Sequence, residues 1–217
     1  MSAHILPKDV KEECRKSGFD LSPAVVENIT SYLAALTKWN RVMNLVGPGK
    51  WRDILNTLVV DSFHLADFVQ KIPGLPENPV CYDLGAGAGL PGIPLRMLWQ
   101  QGNYALVEAR EKRAGFMRAF LATCPLPGVE VLHGRAEECL PEREPADLIL
   151  SRAFMPWEKL LPFIHDFLAP GGCCVLLANK PLSRDLPPGW HELAVREYTV
   201  FAKSNPKRFF QAMRKEK

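Results

Sequence analysis

The residues from Val80 to Gly92 carry an apolar run through Asp83 into Gly85, Gly87 and Gly89, and then into a helix start at Pro91-Gly92. Glycine has no Cβ, so a chain can curl tightly there and bring its backbone against a ligand. A second apolar run, Tyr104-Ala-Leu-Val, ends in Glu108. A glycine turn after one strand and a carboxylate after the next is how a parallel α/β sheet holds an adenosine-type cofactor. The turn passes beneath the ligand, and the acid accepts hydrogen bonds from the ribose hydroxyls. The simpler alternative is a turn that only lets the following helix pack on the sheet.

Two registers of the glycines compete. Gly87-x-Gly89-x-x-Gly92 fits a dinucleotide fingerprint, with a pyrophosphate on the helix N-terminus. Asp83-x-Gly85-x-Gly87-x-Gly89 instead resembles the first motif of the class I S-adenosylmethionine-dependent methyltransferases. A carboxylate at Asp83 suits a cofactor with a cationic amino group and a sulfonium, and is a poor neighbour for a pyrophosphate. The second register also sets the glycines directly after the strand, so the methyltransferase reading leads.

In an open α/β sheet, ligands collect beyond the carboxyl ends of the strands. After the third expected strand come Arg135, Ala136 and Glu137; after the fourth, Ser151-Arg152-Ala153-Phe154; after the fifth, Asn179-Lys180. Three cations and an aromatic at one rim suit an anionic, stackable substrate. Phe154 stacked on a base contributes about 1–3 kcal/mol, or else it packs on the helix that follows. Arg135 contacts a phosphate, or else pairs with Glu137 or Glu138. Arg152 directly follows a buried strand, and a charge there needs a partner.

What the chain lacks also narrows the chemistry. Ser151-Arg-Ala-Phe stands where an Asn/Asp-Pro-Pro-aromatic motif serves methylation of an exocyclic base nitrogen, and there is no Pro-Cys for attack on a pyrimidine carbon. The acceptor is then an atom already nucleophilic. Guanine N7 fits, having an in-plane lone pair and no proton to remove, so neither a general base nor a covalent intermediate is needed. Catalysis becomes mostly positioning, which can supply up to about 7–11 kcal/mol in favourable systems.

The elements that must hold these residues follow from periodicity. Apolar residues at 25, 29, 32, 33, 36, 39 and 43 predict a helix from Ser22, a cap with proline behind it, to about Leu45. Shorter helices are expected near 8–16 and 51–69. Three prolines and a glycine between Lys71 and Pro79 break regular structure. The boundary placed there gives a helical cap, 1–75, and a cofactor domain, 76–217. Strands are expected at 80–84, 104–108, 129–132, 147–150 and 173–178, with helices near 92–100, 111–123 and 157–168. Ala169-Pro-Gly-Gly172 is a turn into the fifth strand. That alternation implies a parallel sheet with helices on both faces, and the tail offers an antiparallel hairpin near 191–200 and 207–213.

A chain of 217 residues, 47% apolar and 24% charged, is ordinary for a soluble α/β protein. Its start, Met1 to Phe19, is too polar for a signal peptide, and no apolar run is long enough to span a bilayer. The six cysteines form no CxxC pair and the five histidines no metal-ligand spacing. These features predict a cytoplasmic protein without a bound metal. The net charge is +3, but the residues from Lys203 onward carry +5 and those before them −2. That basic tail holds phosphates or is simply a solvated end.

Several short motifs together resemble one family. They are Trp39-Asn40-x-x-x-Asn44-Leu45, Asp61-Ser62, Asp83 through Leu95, Glu108-x-x-x-Lys112-Arg113, Arg135-Ala136-Glu137 and Ser151-Arg152-Ala153. In order and spacing they resemble the bacterial small-subunit rRNA guanine-N7 methyltransferases, also called glucose-inhibited division protein B, from about Tyr32 to Lys180. The resemblance implies a class I fold: a Rossmann-like, mainly parallel seven-stranded sheet with an antiparallel last strand, and an N-terminal helical cap. It implies S-adenosylmethionine as cofactor. It also implies that the acceptor is N7 of guanine 527 in the decoding-region loop of 16S rRNA, as naked rRNA or within the small subunit or its precursor; the protein is expected to act as a monomer.

By that resemblance Asp83, Gly85, Gly87, Gly89 and Leu90 belong to the cofactor site. Glu108 holds the ribose, Ala136 and Glu137 flank the adenine, and Arg152 lies at the cofactor–substrate junction. Lys38, Asn40, Arg41, Asn44, Arg135, Phe154, Lys180, Lys207 and Arg208 are expected to face RNA, whereas Trp39 is core. Val46, Leu58 and Pro181 depart from the family pattern, which usually has threonine, histidine and glycine there. None of the three touches the cofactor motif. A methyltransferase for another RNA or a small molecule, a nicotinamide-dependent oxidoreductase and a non-catalytic RNA-binding protein are the alternatives.

Overall fold

The computed structural model describes residues 4–182, 186–200 and 206–216; Lys203 and Lys217 of the basic tail lie outside them. The chain begins with α1 (Pro7–Lys16) and α2 (Pro23–Met43). Ser22 caps α2, its hydroxyl accepting from the amide of Val25, with Pro23 in the first turn. The helix ends where Asn44 turns left-handed at φ 49°. Its periodic residues are the ones buried, among them Ile29, Tyr32, Leu33 and Leu36.

The helix expected over 51–69 is a single rod with a defect inside. It comprises α3 (Trp51–Ile54), a π-helical turn (Leu55–Val59) and α4 (Val60–Val69). A π turn inserts an extra residue into the helical repeat, and this one ends one residue short of Asp61, with Val60 between them. Apolar periodicity over so short a run cannot reveal it.

Seven strands follow: β1 (Val80–Leu84), β2 (Asn103–Glu108), β3 (Val129–His133), β4 (Ala146–Arg152), β5 (Leu168–Ala178), β6 (Trp190–Thr199) and β7 (Lys207–Lys215). They form one sheet in the order β3-β2-β1-β4-β5-β7-β6. The pairs among β1 to β5 are parallel, and β7 runs antiparallel to both of its neighbours. The expected hairpin is therefore present, with the last strand threaded inside the edge. Strand order reverses between β1 and β4, the crevice where such sheets bind ligands.

Between the strands lie α5 (Gly92–Leu98), α6 (Glu111–Thr123), α7 (Ala136–Cys139) and α8 (Trp157–Ile164). Two differences from the expected elements have local causes. The four-residue α7 is too short to show a period. Ala169 to Gly172 lie within β5 as a bulge, because Ala146 pairs with Leu168 while Leu148 pairs with Cys173; Gly171, at φ +77°, permits the excursion.

Alternate strand residues face opposite layers. Tyr82, Leu84, Ala105, Val107 and Ile149 join the core beneath α7 and α8. Cys81, Leu106, Leu148 and Leu150 join a core that also takes in α2, α4 and α5. The N-terminal helices thus bury their apolar faces on the sheet itself. Tyr32 of α2 adds a specific tie, its hydroxyl donating to the Ala88 carbonyl at 2.8 Å.

Candidate active site

The first ligand-sized cleft is built on the glycine turn. Gly85, Gly87 and Gly89 have φ of +69°, +62° and +79°, a region that residues with a Cβ rarely adopt. The amides of Gly85 and Ala86 donate to the Val107 carbonyl, drawing the turn across the end of β2. There Glu108 accepts from the Gly87 amide through Oε2 and from the Arg110 amide through Oε1, both at 2.8 Å. A carboxylate offers about four acceptor positions, so Glu108 keeps capacity for a diol. A Cβ at Gly85 would come 2.9 Å from Cδ2 of Phe154, so that ring lies directly against the turn.

This cleft has a volume of about 450 Å³, with Gly85, Glu108, Ala136, Glu137 and Phe154 in its lining. That volume lies within the usual range for small-ligand sites. A glycine floor, a carboxylate with spare lone pairs, a small buried residue at Ala136 and an aromatic wall fit an adenosine-bearing cofactor.

Other motif residues sit behind the turn. Asp83 is 1% exposed; it accepts from the Tyr104 hydroxyl at 3.2 Å and from the Gly92 amide. Burial pushes its carboxyl up to about 6, against the lowering effects of Arg152, Tyr104 and Gly92. It therefore pins the turn from below, which corrects the expectation that it meets the cofactor's cationic group. Leu90 is likewise a core residue at 2% exposure. Gly89 is required because Ile93 fills the space a Cβ would take, 2.3 Å from its Cδ1.

A second, smaller cleft of about 230 Å³ adjoins the first, and Ala153 lines both. Ala153 is held at φ +56°, a strained conformation for a residue with a side chain. Leu58, Asp61, Arg152, Asn179, Tyr198 and Arg208 also line it. Asp61, 1% exposed, accepts from the Tyr198 hydroxyl at 3.0 Å through Oδ1. Its Oδ2 is paired directly with Arg208 and lies 3.8 Å from Nη1 of Arg152. Burial raises the Asp61 carboxyl, and the two arginines and Tyr198 oppose that shift. Next to it, the Ser62 hydroxyl donates to the Pro91 carbonyl at 2.9 Å.

The expected RNA-facing residues divide. Lys38, Arg41 and Asn44 are exposed on or just beyond the C-terminal half of α2, and Lys180 is exposed after β5. Asn40 is a loop clamp: its amide accepts from the Val46 amide at 2.8 Å and donates to the Pro48 carbonyl at 3.1 Å. Arg208 is committed to Asp61, which moves it from the RNA surface to the second cleft. Arg135 lies 3.6 Å from Glu137, and Lys207 lies 2.7 Å from Glu197, both as exposed ion pairs. Phe154 belongs to the first cleft, although it also meets Phe163 of α8 at 6.0 Å between ring centroids. Trp39, partly buried, packs edge-on against Phe116 at the border of the core.

Sequence assigns no role to three members of the site. Asp61 and Arg113 stand in motifs that give neither a partner. Arg113 reaches within 3.7 Å of where a Gly87 Cβ would stand. Tyr198 carried no signal at all, since nothing in one sequence pairs it with a residue 137 positions away.

Fold and clefts together define the architecture of the class I S-adenosylmethionine-dependent methyltransferases. Solved structures with this architecture include a mutant of MtNAS in complex with S-adenosylmethionine (TM-score 0.59, 14% identity, 100% of this chain and 86% of that one). Another is M. jannaschii TYW2 in complex with AdoMet (TM-score 0.52, 15% identity, 73% and 75%). Residues 25–199 match the family model described as rRNA small subunit methyltransferase G, and the chain belongs to that family. It is 53% identical to the ribosomal RNA small subunit methyltransferase G of Nitratidesulfovibrio vulgaris over 207 residues, covering 95% of this chain and 93% of the relative. The protein of the same name from Lawsonia intracellularis is 44% identical over 209 residues (95% and 94%).

Proposed function

We propose that this protein transfers a methyl group from S-adenosylmethionine to N7 of a guanine in small-subunit rRNA, guanine 527 of the decoding-region loop. The observation that carries the reading is the pair of clefts sharing Ala153, one floored by the Gly85 turn and Glu108, the other lined by Arg152 and Arg208. Family membership supports the substrate class. When bound, S-adenosylmethionine supplies a methyl group on a cationic sulfur, a leaving group that needs no acid. Guanine N7 brings its own lone pair, so no side chain has to remove a proton.

The chain's task is then to bind and orient. Glu108 accepts from the ribose hydroxyls, Ala136 and Glu137 flank the adenine, and Phe154 closes the cleft over Gly85. Arg152 stands between the two ligands. The helices of residues 1–75, with Lys38, Arg41 and Asn44, meet rRNA from one side and Lys180 from another. The protein works as a monomer in the cytoplasm, on the small subunit or a precursor of it. Among the described residues no helix is long and apolar enough to cross a membrane.

The test is transfer of a labelled methyl group from S-adenosylmethionine to small subunits lacking the modification, with N7-methylguanine mapped by reduction and chain cleavage. A single cut in the decoding-region loop is expected. No incorporation by a folded, cofactor-binding protein, on subunits or on their precursors, overturns the reading.

A further inference from the structure

We propose that Asp61 is a positioning residue for methyl transfer: its buried carboxylate holds Arg152, with Arg208 and Tyr198 of the C-terminal hairpin, in the arrangement that receives the guanine. The inference rests on the reading above and assigns a further residue to the same site.

Asp61 gathers groups from three strands around one carboxylate. Tyr198 comes from β6, Arg208 from β7 and Arg152 from the end of β4. Tyr198 is itself fixed by stacking on Phe210, ring centroids 4.3 Å apart at 26°. On the helix side, the π turn before Asp61 and the bond from Ser62 to Pro91 fix where the carboxylate stands. The Asp61-Ser62 pair thereby ties one helix to both clefts.

The bonding around Asp61 is unequal. Arg208 and Tyr198 hydrogen-bond to it, whereas Arg152 has only the 3.8 Å charge contact. Nη1 of Arg152 and Nε of Arg208 are buried atoms with no hydrogen-bond partner among the described residues. A buried donor without an acceptor is costly, and an arriving acceptor relieves it. Guanine offers O6 beside N7. Because N7 must keep its lone pair for the methyl, the useful guanidinium contact is to O6. Asp61 also offsets the charge of two arginines at a place where the purine ring becomes cationic as N7 takes the methyl. Without it, Arg152 and Arg208 repel each other across a half-buried cleft and Arg152 leaves for solvent.

The test is a double-mutant cycle in the full chain, with Asp61→Asn, Arg152→Gln and their combination. Methyl transfer to unmodified small subunits is read at saturating cofactor, and S-adenosylmethionine affinity is read separately. Asp61→Asn is expected to lower kcat tenfold or more while the cofactor Kd stays within twofold. If Asp61 acts through Arg152, the double variant falls no more than about twofold below Arg152→Gln alone. Losses that multiply, or an unchanged kcat in a folded Asp61→Asn protein, overturn the proposal. Should Asp61→Asn fail to fold, Tyr198→Phe replaces it in the cycle: a severalfold loss that is non-additive with Arg152→Gln supports the proposal. An absent or multiplying loss overturns it. A folded, cofactor-binding wild type inactive on subunits and on their precursors refutes methyl transfer itself, whereas an active wild type with an indifferent Asp61→Asn refutes only the role of Asp61.

Discussion

Glu108 accepts a hydrogen bond from the Gly87 amide at 2.8 Å, which makes the acid after β2 and the glycine turn after β1 one unit. The carboxylate orders the turn and presents its remaining lone pairs to the cleft. Glu108→Gln retains the shape, but turns an NH₂ toward one of two backbone amides. Hydrogen bonds to a charged group contribute about 1.5–3 kcal/mol. The expected outcome is a 10- to 100-fold rise in the S-adenosylmethionine Kd by titration calorimetry. An unchanged Kd removes the ribose role.

A substitution at Phe154 tells a cofactor contact from a base contact. Its ring lies on Gly85 inside the first cleft, and base–aromatic stacking contributes about 1–3 kcal/mol. Phe154→Ala should raise the cofactor Kd about fivefold or more and leave the KM for small subunits within twofold. The reverse pattern would return Phe154 to the RNA.

Gly92 has no room for a methyl group. A Cβ there would lie 2.5 Å from both Oδ2 of Asp83 and Cδ2 of Leu106. Overpacking of this kind costs about 1–3 kcal/mol, or roughly 3–10 °C of Tm in a chain of this size. Gly92→Ala followed by thermal unfolding checks it, and an unaltered Tm would show that α5 slides freely.

The buried Asp83 gives stability a pH dependence with a definite sign. Burial raises its carboxyl to about 6, above the unfolded value of about 3.9. The folded state therefore holds the proton more tightly. The contribution is full below about pH 4 and is lost as pH rises through 6, by roughly 2–3 kcal/mol. Denaturant unfolding of wild type and Asp83→Asn across pH 4–7 should show wild type losing stability relative to the variant as pH rises. A flat difference would sink the assignment.

Legibility in the sequence followed the range of the interaction. The five parallel strands, the α2 helix and the Gly85–Glu108 unit were readable because each depends on spacing within a few residues or on one strand–turn–helix unit. The π turn and α7 were not, being shorter than the period that would reveal them. The tethering of Asn40 and Arg208 is also invisible in sequence, because an exposed polar residue and a tethered one look the same in a string of letters. Only the folded loop shows Asn40 bonded to Val46 and Pro48.

The sequence by itself determined the class of sheet, the glycine turn with its acid, and the family, since these lie in local pattern and motif order. The tertiary structure decided which motif residues line a cleft and which face the core. Asp83 and Leu90 went beneath the turn, and Asp61 met Tyr198 and Arg208 across 137 and 147 positions of chain. A buried charge takes whatever partner packing brings within reach, and that partner is set by how the antiparallel hairpin closes the sheet.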